Sequence, residues 1–103
     1  MDKEIDNIIQ KFIVKTLNIL SPEEIILYGS YAKGNNKEDS DIDIAVILNT
    51  FYGDYLDYSA KLFNISYQID YRIEPVLLIN NYDKSGFIEH IKSYGKQVYC
   101  SKQ

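Results

Sequence analysis

The sequence predicts one α+β domain, an α/β sandwich in which helices pack on a small mixed β-sheet. Three observations favour this fold class. Helix-type and strand-type hydrophobic patterns alternate along the chain, no linker, repeat or low-complexity segment separates them, and 103 residues suffice for a single hydrophobic core. We therefore expect residues 1–103 to fold as a single domain.

The first half of the chain is predicted to form a helix, a strand, a single helical turn and a second strand. Residues 3–20 carry apolar side chains three and four positions apart, which indicates an amphipathic helix. Pro22 ends it, because proline cannot occupy a helix interior. Residues 25–28 are a β-prone run that ends at Gly29, where the helical turn follows. Residues 41–48 alternate between polar and apolar and then become wholly apolar, which predicts a strand whose second half is buried.

The second half is predicted to form a helix, a long strand, another helix and a last short strand. Residues 54–64 place apolar side chains on one helical face, and residues 68–79 form an apolar strand with Pro75 near its middle. Proline donates no ladder hydrogen bond, so this strand lies at a sheet edge or is bulged at Pro75. Ser85 is the expected N-cap of the last helix, and Gly95 closes that helix.

Composition and charge exclude several classes of protein. Eleven Lys and Arg residues against fifteen Asp and Glu residues give a net charge of −4, which argues against sequence-independent binding to DNA, RNA or anionic membranes. The single cysteine, Cys100, cannot form an internal disulfide or a cysteine-based zinc site. The longest apolar runs, such as residues 44–48, are far shorter than the ~20 residues of a membrane span, and the acidic N-terminal residues do not resemble a signal peptide. We expect a small cytoplasmic protein that contacts neither DNA nor a membrane.

The residues that indicate chemistry are Gly29 and Ser30 and, after ten further residues, the pair Asp41 and Asp43. A glycine that ends a strand, followed by a serine that opens a helical turn, offers backbone N–H groups and a hydroxyl that suit nucleotide phosphates. Lys33 adds positive charge beside them. Asp41 and Asp43 are two positions apart on a strand, so their carboxylates share a face and can hold Mg²⁺.

Each of these features has a common structural explanation when taken alone. A Gly-Ser pair after a strand is most often a turn, and acidic residues two positions apart are frequently the solvated edge of a strand. Together, however, they place two unpaired acids at the start of a core-forming strand. Glu38 and Asp39 add negative charge there, which a cation would relieve. The combination therefore favours a site for a metal ion and a phosphate.

The segments GSYAKG (residues 29–34) and SDIDIAV (residues 40–46) resemble the signature of the DNA polymerase β nucleotidyltransferase superfamily. The short chain is similar to the minimal nucleotidyltransferase (MNT) branch of that superfamily. The resemblance implies a nucleotidyltransferase fold with Mg²⁺ bound at the two aspartates and nucleotide phosphates bound at the Gly-Ser turn. Lys33 stands where many relatives have arginine. Lysine keeps the positive charge but lacks the bidentate fork of the arginine guanidinium group.

The resemblance also implies a third carboxylate on a neighbouring strand, which completes the metal site and can take the proton from the attacking hydroxyl. Within the predicted strand 68–79, Asp70 and Glu74 share a face, and Arg72 lies between them. The sequence around Glu74 is closer to the family pattern, so Glu74 is the first candidate and Asp70 the reserve. The expected catalytic and metal-binding residues are thus Asp41, Asp43 and Glu74, and the expected nucleotide-binding residues are Gly29, Ser30 and Lys33.

The resemblance implies a Mg²⁺-dependent transfer of a nucleoside monophosphate to a hydroxyl group. The first candidate for the transferred group is AMP, with ATP as the donor. The hydroxyl attacks the α-phosphorus, pyrophosphate leaves, and two metal ions stabilise the charge. It also implies a small helical HEPN-type partner, a toxin that this chain would modify as its antitoxin. Two alternatives are a non-catalytic module that neutralises a partner by binding it, and the catalytic subunit of a split small-molecule nucleotidyltransferase.

Overall fold

The computed structural model describes residues 2–83 and 85–101, and its elements follow the predicted order. They are α1 (Lys3–Leu17), β1 (Glu24–Tyr28), α2 (Ser30–Lys33), β2 (Ile42–Leu48), α3 (Tyr55–Ile69), β3 (Ile73–Ile79), a 3-10 turn (Asn80–Tyr82), α4 (Phe87–Tyr94) and β4 (Lys96–Cys100). No helix among the described residues is long and apolar enough to cross a membrane.

The strands form one mixed sheet in the order β3–β2–β1–β4. β1 pairs antiparallel with both β2 and β4, whereas β3 pairs parallel with β2. The β2–β3 register runs without a shift from Ile42 opposite Ile73 to Leu48 opposite Ile79. Helices on a mixed sheet are the α+β architecture that the sequence predicts, so the fold class is confirmed.

Helices cover both faces of the sheet. Successive side chains of a strand point to opposite faces, so β2 contributes to both cores. On one face, β2 packs against the amphipathic helix α1 and against α3 in the larger core. On the other face, Ala45 and Ile47 pack with Ile88 and Ile91 of α4. The apolar second half of β2 is therefore buried on both sides, as its sequence predicts, and this burial fixes the direction of the acidic residues at its start.

The predicted strand over residues 68–79 is wrong in its first part. Helix α3 continues to Ile69, and β3 begins only at Ile73. Ile65 and Ile69, four positions apart, both pack against the larger core, so the helical period outweighs the strand-like composition here. Asp70 is the C-cap of α3, and the expectation that it shares a strand face with Glu74 is therefore incorrect.

Two further local predictions have mixed outcomes. Pro75 lies on β3, which is an edge strand, and the register passes through it without a shift; the edge alternative is right and the bulge alternative is wrong. Ser85 is not the N-cap of α4, because Gly86 takes that position with φ +75°. The Asp83 carboxylate instead accepts a hydrogen bond from the Ile88 N–H at 3.1 Å.

Candidate active site

The Gly29 turn connects β1 to α2 directly beside Asp43. Gly29 has φ +71° and ψ −153°, a backbone conformation that is nearly restricted to glycine. A Cβ atom on Gly29 would collide with the Asp43 carboxylate and would lie 3.0 Å from its Cγ atom. The turn then continues into the short helix, where the N–H groups of Ala32 and Lys33 donate to the Gly29 carbonyl at 3.1 Å. Glycine is required here both for the conformation and for the close approach to the acid.

The acidic residues collect where β2 and β3 begin. Asp43 lies opposite Glu74 in the parallel pair and opposite Tyr28 in the antiparallel pair. Directly opposed residues on neighbouring strands are ~4.8 Å apart and point to the same face, which here is the α4 face. Asp41 lies one residue before β2 and is exposed, as is Glu74, whereas Asp43 is half-buried. The structure thus brings three carboxylates together at one end of the sheet.

Burial and neighbouring like charges both act on the titratable groups of this cluster. Burial, Asp41 and Glu74 together raise the pKa of the Asp43 carboxyl above its usual value. Burial, followed by the charges of Asp43, Tyr94 and Glu74, raises the pKa of the Tyr28 phenol to about 12. The phenol is therefore neutral at physiological pH, and the carboxylates repel one another. A bound cation would relieve that repulsion.

The donor set fits a hard divalent cation in its chemistry. Carboxylate oxygens are the ligands that Mg²⁺ prefers, and Mg²⁺ sites use only one or two of them together with substrate phosphates. Across residues 2–83 and 85–101, no three His, Cys, Asp or Glu side chains already form a metal-binding group. Asp41 and Glu74 are exposed, so their side chains are free to rotate towards an ion beside Asp43.

Tyr94 of α4 contacts the Gly29 turn, a contact that the sequence analysis did not anticipate. The Gly29 N–H donates to the Tyr94 phenol oxygen at 3.0 Å. The Lys33 ammonium lies over the Tyr94 ring, 4.9 Å from its centroid. The hydrogen-bonded residues are 65 positions apart in the chain, so no local pattern could have revealed the contact. Ser30, the remaining predicted nucleotide-binding residue, opens α2 between these two contacts.

Asp70 belongs to a different cluster, which is built around Arg72. Its carboxylate accepts from the Arg72 Nε at 3.0 Å and from the Arg72 Nη2 at 3.0 Å, and it also accepts from the Arg72 backbone N–H at 2.9 Å. Hydrogen bonds from Arg72 hold the pKa of the Asp70 carboxyl below its usual value. Arg72 also reaches Glu4 and the Glu38 carbonyl, both at 3.1 Å. This cluster ties α1, the end of α3 and the loop before Asp41 together.

Comparison with known proteins identifies the family. The family model described as “Polymerase beta, Nucleotidyltransferase” matches residues 5–103. The chain is also 31% identical over 101 residues to a Methanocaldococcus jannaschii protein whose name proposes a protein adenylyltransferase. That match covers 92% of this chain and 99% of the relative.

Solved toxin–antitoxin complexes contain chains of the same fold. One such complex, with AMP-PNP, contains a chain that matches with a TM-score of 0.62 and 26% identity over 95% of this chain and 75% of that one. Another joins the tri-AMPylated HEPN toxin of Shewanella oneidensis to an MNT antitoxin. A chain of that complex matches with a TM-score of 0.55 and 23% identity over 95% of this chain and 71% of that one.

The family match covers nearly the whole chain. The chain belongs to the polymerase β nucleotidyltransferase family, and it is a nucleotidyltransferase enzyme. The predicted resemblance to the minimal branch is confirmed by its relatives and structural neighbours.

Proposed function

We propose that this nucleotidyltransferase moves AMP from ATP to a hydroxyl group of a helical HEPN-type protein and so acts as the antitoxin of that partner. Three comparisons support the proposal. The M. jannaschii relative has a name that proposes a protein adenylyltransferase, one structural neighbour is a toxin–antitoxin complex with AMP-PNP, and another contains an AMPylated HEPN toxin with its MNT antitoxin. The net charge of −4 disfavours sequence-independent contact with DNA or anionic membranes.

The observation that carries the proposal is the position of the acids relative to the glycine turn. Asp43 and Glu74 are directly opposed on β2 and β3, and the Asp43 carboxylate fills the space that a Cβ on Gly29 would need. A nucleotide whose terminal phosphates lie at this turn therefore has its reacting phosphorus within reach of the carboxylates. A turn or a solvated strand edge alone would not require such close packing.

Each site residue has a role in this reaction. Asp41, Asp43 and Glu74 would hold Mg²⁺, which, when bound, supplies charge stabilisation at the reacting phosphate. Ser30 and Lys33 would bind the β- and γ-phosphates through a hydroxyl and an ammonium group, and Gly29 would contribute the backbone turn that presents them. The acceptor oxygen forms a bond to the α-phosphorus while the bond from the α-phosphorus to the bridging oxygen of the β-phosphate breaks, and Glu74 accepts the hydroxyl proton. Pyrophosphate leaves on the Lys33 side.

A partner is expected to complete this site. The described residues that surround the acids lie at one end of a small sheet, and the proposal assigns them to the metal and the phosphates alone. Recognition of the acceptor then depends on surface that a second protein supplies. We therefore expect weak ATP binding by the isolated chain and efficient transfer only when the HEPN-type protein is present.

Transfer of label from α-labelled ATP to a co-expressed HEPN-type partner tests the proposal. The wild-type chain should label the partner in a Mg²⁺-dependent manner, and Asp41→Asn and Asp43→Asn should each abolish the label without unfolding the protein. Neutralisation of the partner without any label would support the non-catalytic binding module instead. Label that appears only on a hydroxylated small molecule would support the split small-molecule nucleotidyltransferase.

A further inference from the structure

Tyr94 contacts both ends of the segment Gly29–Lys33. Its phenol oxygen accepts a hydrogen bond from the N–H of Gly29 at 3.0 Å. Its ring lies under the ammonium group of Lys33, with 4.9 Å from the nitrogen to the ring centroid. One half-buried side chain from α4 therefore contacts the first and the last residue of the turn that contains Ser30.

The position of Tyr94 is fixed by close packing at the end of α4. The next residue, Gly95, donates its N–H to the Ile91 carbonyl at 2.7 Å. A Cβ on Gly95 would lie 2.6 Å from the Ile26 Cγ2 atom and 3.0 Å from the Leu27 carbonyl oxygen. The C-terminal end of α4 thus lies directly against β1, the strand that leads into the Gly29 turn. This packing fixes the position of the Tyr94 backbone relative to that turn.

We propose that Tyr94 is a positioning residue for the phosphates of the nucleotide, which it orients by holding Gly29 and Lys33 in place. The proposal rests on the function proposed above, in which Ser30 and Lys33 bind the β- and γ-phosphates. Tyr94 acts through these neighbours: the hydrogen bond stabilises Gly29 at its positive φ, and the ring directs the Lys33 ammonium towards the same side of the turn.

Two physical consequences separate this role from simple packing. A free lysine side chain samples many rotamers, and phosphate binding restricts them at a cost in conformational entropy. The cation–π contact with Tyr94 already restricts the Lys33 side chain, so phosphate binding costs less entropy. The Gly29 N–H already donates to Tyr94. The direct phosphate contact predicted for Gly29 is therefore replaced by a role in shaping the turn, and Ser30 and Lys33 would make the direct contacts. A tyrosine oxygen that accepts a hydrogen bond can still donate its own proton, so the phenol does not repel an approaching phosphate. Loss of Tyr94 should therefore weaken binding of the β- and γ-phosphates and leave the rest of the nucleotide unaffected.

Equilibrium titration with Mg²⁺ and AMP-PNP, and separately with AMP, tests the proposal on the full chain. AMP is the matched ligand because it lacks the β- and γ-phosphates. The variants are Tyr94→Phe, which removes only the hydroxyl, Tyr94→Leu, which also removes the ring, and Lys33→Met. Tyr67→Leu is the control, because Tyr67 is an exposed tyrosine on α3, on the opposite face of the sheet.

Tyr94→Phe should weaken AMP-PNP binding by roughly two- to tenfold, the range of one net hydrogen bond. Tyr94→Leu should weaken it by a further factor of about two to five, the range of an exposed cation–π contact. AMP binding should stay the same in every variant. Adding Lys33→Met to Tyr94→Leu should cost less than Lys33→Met costs alone, because the two residues act together.

Equal losses for AMP and AMP-PNP would show a structural role and overturn the proposal. Additive effects of Lys33→Met and Tyr94→Leu would also overturn it. If Tyr94→Leu does not fold, Tyr94→Phe preserves the packing, and unchanged AMP-PNP affinity in that variant refutes the positioning role. These results are independent of partner labelling, so wild-type transfer with an unaffected Tyr94→Phe variant would refute this inference alone. A wild-type chain that neither transfers AMP nor distinguishes AMP-PNP from AMP would refute both.

Discussion

Replacement of Gly29 by alanine should destabilise the protein and disrupt its acidic cluster together. The new Cβ would meet the Asp43 carboxylate, with Cγ at 3.0 Å and Cβ at 3.3 Å. The backbone at φ +71° and ψ −153° costs about 1–3 kcal/mol for a residue with a Cβ. Displacement of the Asp43 side chain from its rotamer adds about 0.5–1.5 kcal/mol. We therefore expect a loss of about 1.5–4.5 kcal/mol in the free energy of unfolding.

Gly34→Ala provides the matched control for this experiment. Gly34 also has a positive φ, +79°, but its ψ of 14° lies in the left-handed helical region, and no atom lies within 4 Å of the position of an added Cβ. That conformation costs a residue with a Cβ only about 1–2 kcal/mol, and the reduced entropy of the unfolded chain partly offsets the cost of either substitution. Urea denaturation of both variants should therefore show a clearly larger loss for Gly29→Ala.

The steric part of the effect can be isolated in an Asp43→Ala background. There the carboxylate is absent, so Gly29→Ala should cost about 0.5–1.5 kcal/mol less than in the wild type. In the wild-type background, Gly29→Ala should also abolish nucleotide transfer, because the new Cβ displaces the Asp43 carboxylate. A cost no larger than that of Gly34→Ala, or one that is unchanged by Asp43→Ala, would refute the close approach of the turn to the acid.

Three further predictions concern the carboxylates. Glu74→Gln should reduce transfer by about 100-fold or more if Glu74 accepts the proton, whereas Asp70→Asn should change it only slightly; a reversed ranking in the labelling assay would transfer the role to Asp70. Burial and like charge raise the pKa of Asp43, so the ionised carboxylate destabilises the folded state at neutral pH. In EDTA, which removes divalent cations, Asp43→Asn should therefore keep or raise the Tm. The lowered pKa of Asp70 means that its pairing with Arg72 stabilises the fold above the ordinary carboxyl pKa. That contribution disappears as the pH falls through the lowered pKa of Asp70. In urea denaturation, Arg72→Met should therefore reduce the free energy of unfolding by about 1 kcal/mol at pH 7 and by less in strong acid.

The order of helices and strands could be predicted from the sequence because each element has a distinct hydrophobic period. The boundary between α3 and β3 could not, since Gln68 and Ile69 suit either structure locally. The spacing from Leu62 through Ile65 to Ile69 was the available signal, because it continues the helical period of α3. That boundary matters for the site: it places Asp70 on a helix cap and leaves Glu74 as the acid directly opposite Asp43.

The metal and phosphate residues were accessible to sequence analysis because they lie in two short segments with a fixed spacing. The residues that support them were not accessible. Arg72 and Tyr94 act through contacts with residues 34 and 65 positions away, and nothing near either residue in the sequence indicates those contacts. Ser85 shows the same limit locally, since the carboxylate of Asp83 and the positive φ of Gly86 determine how α4 begins.

Anomalous diffraction from crystals of the chain with Mn²⁺ and AMP-PNP would test the central claim most directly, because Mn²⁺ replaces Mg²⁺ and can be located without assumptions about its ligands. The account predicts anomalous density between Asp41, Asp43 and Glu74, with the β- and γ-phosphates at Ser30 and Lys33. Density for Mn²⁺ at Asp70, or a nucleotide bound away from the Gly29 turn with no metal at these three carboxylates, would contradict it.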